Sequence, residues 1–260
     1  MNNLISQKLN SHWVFKESGG SMWLDATVPG CVHLDLLDNG LIPEPFYGSN
    51  EKELQWISDK DWSYRLIFQP DAELLTRDRI LLIFHGLDTY ATVFLNDEKI
   101  IEADNMFHPW TFDIKDLLKS GENKIEIKFR SAINEILPTM KTLGYELPAD
   151  NDQAGKTSPH TRKAPYHYGW DWGPSLVTTG IWKDVYILSY EDLHVKNLMI
   201  SNVSIDKNVA ELMFELIITS TLDTIVLIII REEKSKTDKK VKFALKKGQN
   251  HLKESLFITD

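Results

Sequence analysis

The chain of 260 residues holds a single cysteine, Cys31, which excludes an internal disulfide framework and suits a reducing compartment. Its fold must therefore rest on a buried apolar core, and the length is sufficient for one large domain or two smaller ones. Beside a Pro-Gly turn, Cys31 itself reads as a small core hydrophobe. Long apolar runs are also missing. The densest, Ile225 to Ile230, falls far short of the ~20 residues that cross a bilayer and reads as a doubly buried strand. Positive charge is in deficit, with 29 Lys and Arg against 38 Asp and Glu and a net charge of -9. Such a surface repels phosphate backbones and anionic lipids, so neither nucleic acid nor membrane is an expected partner. Between Met1 and Lys8 no basic stretch leads into an apolar one, and polar Asn10 and Ser11 follow; a cytoplasmic location is the expectation. There is no Gly-rich phosphate loop and no Gly-x-Ser-x-Gly elbow. The eight histidines, among them His160 and His167, lack the close spacing to Cys and acids that a zinc site needs, so neither metal nor cofactor is expected.

What the chain has in quantity is aromatic surface and period-two alternation. From Lys124 to Arg130, Ile125, Ile127 and Phe129 face one way and Lys124, Glu126 and Lys128 the other, the pattern of a half-exposed strand. Similar runs occupy Tyr64 to Gln69, Arg79 to His85, Ala91 to Asn96 and Asp184 to Leu188, and together they predict an all-β class built as an antiparallel sandwich. Asn96-Asp97 predicts a hairpin turn, because Asn and Asp tolerate positive φ. Two helices are expected. One runs from Val32 to Asn39 and stops at Gly40; the other lies over Ala132 to Lys141, where Pro138 interrupts or limits it.

Between Gly144 and Pro165 the chain is polar and aperiodic, a long loop of the kind that is usually functional or mobile. A boundary is expected near Asp192, giving a first domain over 1–192 and a second over 193–260. Strand-like runs at Val195 to Ile205, Ala210 to Thr219, Thr224 to Arg231, Lys240 to Leu245 and Leu252 to Ile258 fit an immunoglobulin-like sandwich cut short, since such a domain has about seven strands. The Lys-rich stretch from Lys234 to Lys247 reads as a solvated hairpin.

The segment with the strongest chemical signal is Arg162 to Pro174, which contains Tyr166-His167-Tyr168-Gly169-Trp170-Asp171-Trp172-Gly173. Two indoles offer rigid apolar faces to the C–H surface of a sugar at little entropic cost. Asp171 complements them, because an ionised carboxylate accepts hydrogen bonds from two neighbouring hydroxyls. The bland alternative is that Trp170 and Trp172 pack in the core while Asp171 caps a turn; residue types alone leave the two readings even. Glu51, Glu53, Asp59 and Asp61, near Trp56 and Trp62, read as surface acids rather than a hydrolytic carboxylate pair.

Several blocks then carry a resemblance. Val28-Pro29-Gly30-Cys31-Val32-His33-Leu34-Asp35-Leu36, Gly40-Leu41-Ile42-Pro43, Pro45 to Glu51, Asp61 to Arg65, Gly86 to Ala91, Asn105-Met106-Phe107, Arg162 to Pro174 and Gly180 to Lys183 resemble, in order, the opening of the β-mannosidases of glycoside hydrolase family two. The resemblance implies a jelly-roll, galactose-binding-like sandwich, then an immunoglobulin-like domain, then a (β/α) barrel that supplies two catalytic glutamates. That barrel needs about 250 residues, so the catalytic pair is expected outside this chain and the fragment alone is expected to be inactive. What carries over is the triad: Trp170, Asp171 and Trp172 match substrate-binding positions, and the implied partners are a β-mannoside oligosaccharide and the barrel of the same protein. The resemblance also implies that Asn50, in the Tyr47-Gly48-Ser49-Asn50 turn, lies close to the pocket. The resemblance leaves open a β-galactosidase, β-glucuronidase or exo-β-glucosaminidase of the same family, and a non-catalytic carbohydrate-binding module.

Overall fold

The computed structural model describes residues 4–232 and 237–259. The start of the Met1 to Lys8 segment and part of the Lys234 to Lys247 stretch lie outside the described residues. The chain is 45% strand and 14% helix, an all-β protein as its alternation predicts. It divides into two compact units, one of residues 6–76 and 80–188, the other of 189–232 and 237–259 with the short pieces 4–5 and 77–79.

The first unit carries all or most of strands β1 (Ile5–Lys8), β2 (Trp13–Glu17), β3 (Leu24–Ala26), β4 (Trp62–Phe68), β5 (Arg79–Phe84), β6 (Tyr90–Leu95), β7 (Glu98–Ala103), β8 (Trp110–Asp113), β9 (Asn123–Arg130) and β10 (Val185–Tyr190). They form a six-stranded sheet of order β3-β2-β4-β9-β6-β7 and a four-stranded sheet of order β1-β10-β5-β8. Alternation decides which side chains enter the core. On β9, Ile125, Ile127 and Phe129 are fully buried, and on β4 Trp62, Tyr64, Leu66 and Phe68 are buried while Ile67 faces solvent. Phe15, Tyr64 and Phe129 meet there with ring centroids 5.9 and 5.6 Å apart, contacts that add about 0.5–1.5 kcal/mol each beyond the buried area. The β6–β7 hairpin turns on Asn96 and Asp97, at φ 51 and 71, as their tolerance of that region predicts.

Among the described residues four short helices join the strands: α1 (Val32–Asp38), α2 (Asn50–Glu53), α3 (Ala72–Leu75) and α4 (Ala132–Thr142). Helix α1 ends where Gly40, at φ 67, donates its N–H to the Leu37 carbonyl, the glycine stop its sequence predicts. Helix α4 starts on Ser131, whose Oγ accepts the Asn134 N–H, a cap that contributes about 1 kcal/mol. Pro138 does not interrupt it. The proline is exposed, so water can serve the carbonyl that its missing N–H leaves, while Ile133 and Ile136 bury the other face against Tyr90, Tyr168 and Val177.

The second unit holds β11 (Leu193–Ile205), β12 (Val209–Ser220), β13 (Thr224–Glu232), β14 (Thr237–Leu245) and β15 (Gly248–Thr259), in antiparallel sheets β11-β12-β15 and β13-β14. The expectation of a doubly buried strand at Ile225 to Ile230 is corrected here. Ile225, Leu227 and Ile229 are exposed, whereas Val226 and Ile228 pack against Ile218, Leu245 and Leu252. Period-two geometry puts one half of an unbroken apolar run on each face, and only one face meets a partner.

Candidate functional site

Residues 143–184 contain no α-helix or β-strand, only two 3-10 turns at Ser158–His160 and Pro165–Tyr168. A segment of that length holds a shape only if specific contacts satisfy its backbone. Those contacts come from distant parts of the first unit. The Met106 N–H donates to the Arg162 carbonyl, and Asp88 and Gly180 exchange both backbone bonds at 2.9 and 3.0 Å. Ser175 is gripped from both sides: its N–H donates to Glu51 Oε1 at 2.7 Å, its carbonyl accepts from Gln55 Nε2 at 2.8 Å, and its hydroxyl donates to the Tyr168 carbonyl at 3.0 Å. Glu51 is thus not a free surface acid, since its carboxylate holds a loop 124 residues away. Gly169 is required where it stands: at φ 121, a Cβ would lie 2.6 Å from the Asn151 carbonyl oxygen.

This frame presents Trp170-Asp171-Trp172 at the surface. Trp170 is 44% exposed and Trp172 86%, and their rings stand nearly perpendicular with centroids 6.3 Å apart. Asp171 is exposed and, among the described residues, accepts no hydrogen bond and joins no ion pair. The reading in which both indoles are sealed in the core and the acid caps a turn therefore fails. Beside the triad lies an open cleft of about 420 Å³ whose lining includes Phe46, Tyr166, His167, Trp170, Trp172 and Thr178. Asn50 does not extend into this lining; its side-chain amide donates to the Glu44 carbonyl. A smaller cavity of about 260 Å³ shares Tyr166, His167 and Thr178 and reaches half-buried Cys31, whose thiol pKa is pushed up by burial.

Beneath the cleft is a charged cluster that residue patterns did not reveal. Lys163, wholly buried, donates from Nζ to both oxygens of buried Asp88 at 2.5 Å and to the Thr178 carbonyl at 2.8 Å. Asp88 also accepts from the hydroxyls of Thr89 at 2.5 Å and Thr178 at 2.7 Å. The carboxylate thus closes the base of the segment that displays the triad, since Lys163 and Thr178 stand on either side of it. Both residues lie in or near the blocks singled out above, but only contact across 75 residues makes them a pair.

Two imidazoles border this cluster. Burial, reinforced by Lys163, lowers the pKa of His33 to about 4 and that of His167 to about 4, with Asp88 opposing. Free imidazoles titrate near 6.5, so between roughly pH 4 and 6.5 the unfolded chain binds more protons. The stability of the neutral rings is complete above that window and lost as pH falls through it. Asp35, hydrogen-bonded to Tyr64 and the Thr27 N–H, works in the opposite sense. Burial pushes its pKa up to about 6, so its stability is complete below ~3.9 and lost as pH rises. With two groups against one, the urea midpoint should fall between pH 7.5 and 5. His33→Phe, which also removes a buried Nδ1 that has no partner, should flatten that slope; an equal slope in the variant would show that His33 is not buried neutral.

A family model described as "Glycosyl hydrolase 2 galactose-binding domain-like" matches residues 13–183. Among curated relatives, the Beta-mannosidase B of Emericella nidulans is 41% identical over 193 residues, covering 70% of this chain and 22% of that protein. The Beta-mannosidase of Bos taurus is 35% identical over 207 residues, covering 77% and 23%. A crystal structure of the Beta-D-Mannosidase from Dictyoglomus thermophilum superposes with a TM-score of 0.88 at 38% identity, over 98% of this chain and 31% of that one. An exo-chitosanase from Amycolatopsis orientalis, 17% identical with a TM-score of 0.67 over 98% of this chain and 29% of its own, shares the fold alone. The chain thus spans less than a quarter of the curated relatives it matches. Because the family model takes in well over half of the 260 residues, from the start of β2 to just short of β10, the chain belongs to the glycosyl hydrolase 2 galactose-binding-domain-like family.

Proposed function

We propose that the whole protein is an exo-acting β-mannosidase that releases terminal non-reducing β-D-mannose, and that this chain supplies a wall of its substrate pocket. The observation that carries the reading is the triad: two exposed indoles with nearly perpendicular rings, flanking in sequence an exposed carboxylate that has no partner among the described residues. An ionised carboxylate left bare beside apolar rings is suited to two adjacent hydroxyls of a ring whose C–H face rests on an indole. The choice of mannose is supported by curated relatives 35–41% identical that are named beta-mannosidases. In this reading the two glutamates that cleave the bond belong to the barrel of the whole protein, one as acid/base and one as nucleophile, with retention through a glycosyl-enzyme. Trp170, Asp171 and Trp172 bind substrate; they do not perform the chemistry. Residues 193–260 are read as part of an immunoglobulin-like domain between the two.

The full gene product, offered a panel of aryl β-glycosides, should hydrolyse the mannoside with the highest kcat/KM. A clear preference for the β-galactoside, β-glucuronide or β-glucosaminide would replace mannose with that sugar. Loss of turnover on all of them would leave a binding role.

A further inference from the structure

His167 lines both cavities and has a ring whose two nitrogens have different surroundings. Nδ1 lies 3.1 Å from Thr178 Oγ1; Nε2 has no hydrogen-bond partner among the described residues. Counting protons along the chain of contacts decides which nitrogen carries the hydrogen. Asp88 faces the Lys163 ammonium at 2.5 Å and is an ionised acceptor with no proton to give. Its 2.7 Å contact with Thr178 Oγ1 therefore contains the threonine proton. A hydroxyl has only one, so at its second contact Thr178 must accept, and Nδ1 must donate. Lys163, 3.3 Å from the same oxygen, can only donate as well, which removes any other source of a proton for Nδ1. The Tyr166 ring stands edge-on to the imidazole at 4.8 Å. Direct pairing with Asp88 is too long at 4.0 Å to compete. The ring is held neutral, because burial beside Lys163 lowers its pKa to about 4, so Nε2 is a lone pair and not an N–H.

We propose that His167 is a further saccharide-binding residue of the cleft, held as its Nδ1–H tautomer by the Asp88–Thr178 chain so that Nε2 accepts a hydrogen bond from a sugar hydroxyl. This rests on the glycosidase reading and adds a directional element to it. Nε2 is an acceptor, as is the carboxylate of Asp171 between the two lining indoles in sequence, so together they demand donors from the ligand, which hydroxyls supply and carboxylates or ring oxygens do not. An acceptor whose tautomer is imposed from behind does not reorganise when substrate arrives. Asp88 and Thr178 act through His167 and are positioning residues.

The test compares the full gene product with its His167→Phe, His167→Gln and Thr178→Val variants on an aryl β-mannoside and its four monodeoxy analogues. His167→Phe should lower kcat/KM on the parent substrate by about tenfold or more, as loss of one buried hydrogen bond does. On one deoxy analogue, the one lacking the hydroxyl that Nε2 accepts, the same variant should lie within about twofold of the unmodified protein. His167→Gln, which keeps an acceptor near the Nε2 position, should recover part of the loss, and Thr178→Val should show a smaller loss on that same hydroxyl. A His167→Phe loss of equal size on the parent and all four analogues would overturn the proposal while leaving the glycosidase reading intact. An unmodified protein that turns over no aryl glycoside would overturn both.

Discussion

Asp171→Ala in the full gene product should lower kcat/KM for an aryl β-mannoside by at least about tenfold, roughly 1.4 kcal/mol of transition-state stabilisation, while leaving the thermal unfolding midpoint unchanged. The two halves of that expectation have separate causes. The carboxylate is exposed and bonded to nothing else in the described chain, so its removal costs the fold little. In the proposed pocket, the same freedom leaves both oxygens available to hydroxyl donors, and charge-assisted bonds of this kind are about twice as strong as neutral ones. As the sugar ring distorts toward an oxocarbenium ion, bonds to its hydroxyls tighten, so the loss should appear in kcat as well as KM. Asp171→Asn should fall between, because an amide keeps one acceptor and adds a donor that meets a hydroxyl less well. Unchanged kinetics in both variants would mean the acid does not touch substrate.

The largest stability effect should come from beneath the cleft. Asp88→Ala strands the Lys163 ammonium, wholly buried, without a counter-charge, and breaking such a pair from one side typically costs about 3–5 kcal/mol. Lys163→Met should cost a comparable amount, since the Asp88 carboxylate then keeps only its two threonine donors. The double variant Asp88→Leu with Lys163→Met should be less destabilised than the sum of the two, because no lone charge remains buried. Urea unfolding at pH 7.5 measures all three. A single-variant loss below about 1 kcal/mol would place the pair in water. Activity should not follow stability: the double variant, folded but without its acceptor for the Thr178 hydroxyl, should still turn over poorly.

The strands were the part most open to reading in advance. Alternation at β9, β4 and β6 was visible because one buried and one exposed face write period two directly into the residues, and the five strands of the second unit stood out as strand-like runs at the spacing of a sandwich. The three- to five-residue strands β1, β2, β3 and β8 were not predicted, since so few positions cannot establish a period. Pro138 misled in the opposite direction: residue chemistry argued for a break, and burial of Ile133 and Ile136 on the opposite face carried the helix through. At Glu51, exposure was the expectation from residue type, and a backbone N–H contributed by Ser175 overrode it.

The candidate site divides along the same line. That Trp170, Asp171 and Trp172 are a sugar-compatible set follows from their chemistry and adjacency in the chain, because neighbours in sequence remain neighbours in any fold. Whether they face solvent or the interior could not follow from it, since both outcomes use the same residues; that was decided by Ser175, Tyr168 and the Asp88–Lys163 pair, which pin the loop from below. The proton order through Asp88, Thr178 and His167 belongs wholly to tertiary structure. It depends on distances of 2.5 to 3.1 Å between groups up to 90 residues apart, and a hydrogen bond, unlike a hydrophobic face, leaves no repeating trace along the chain.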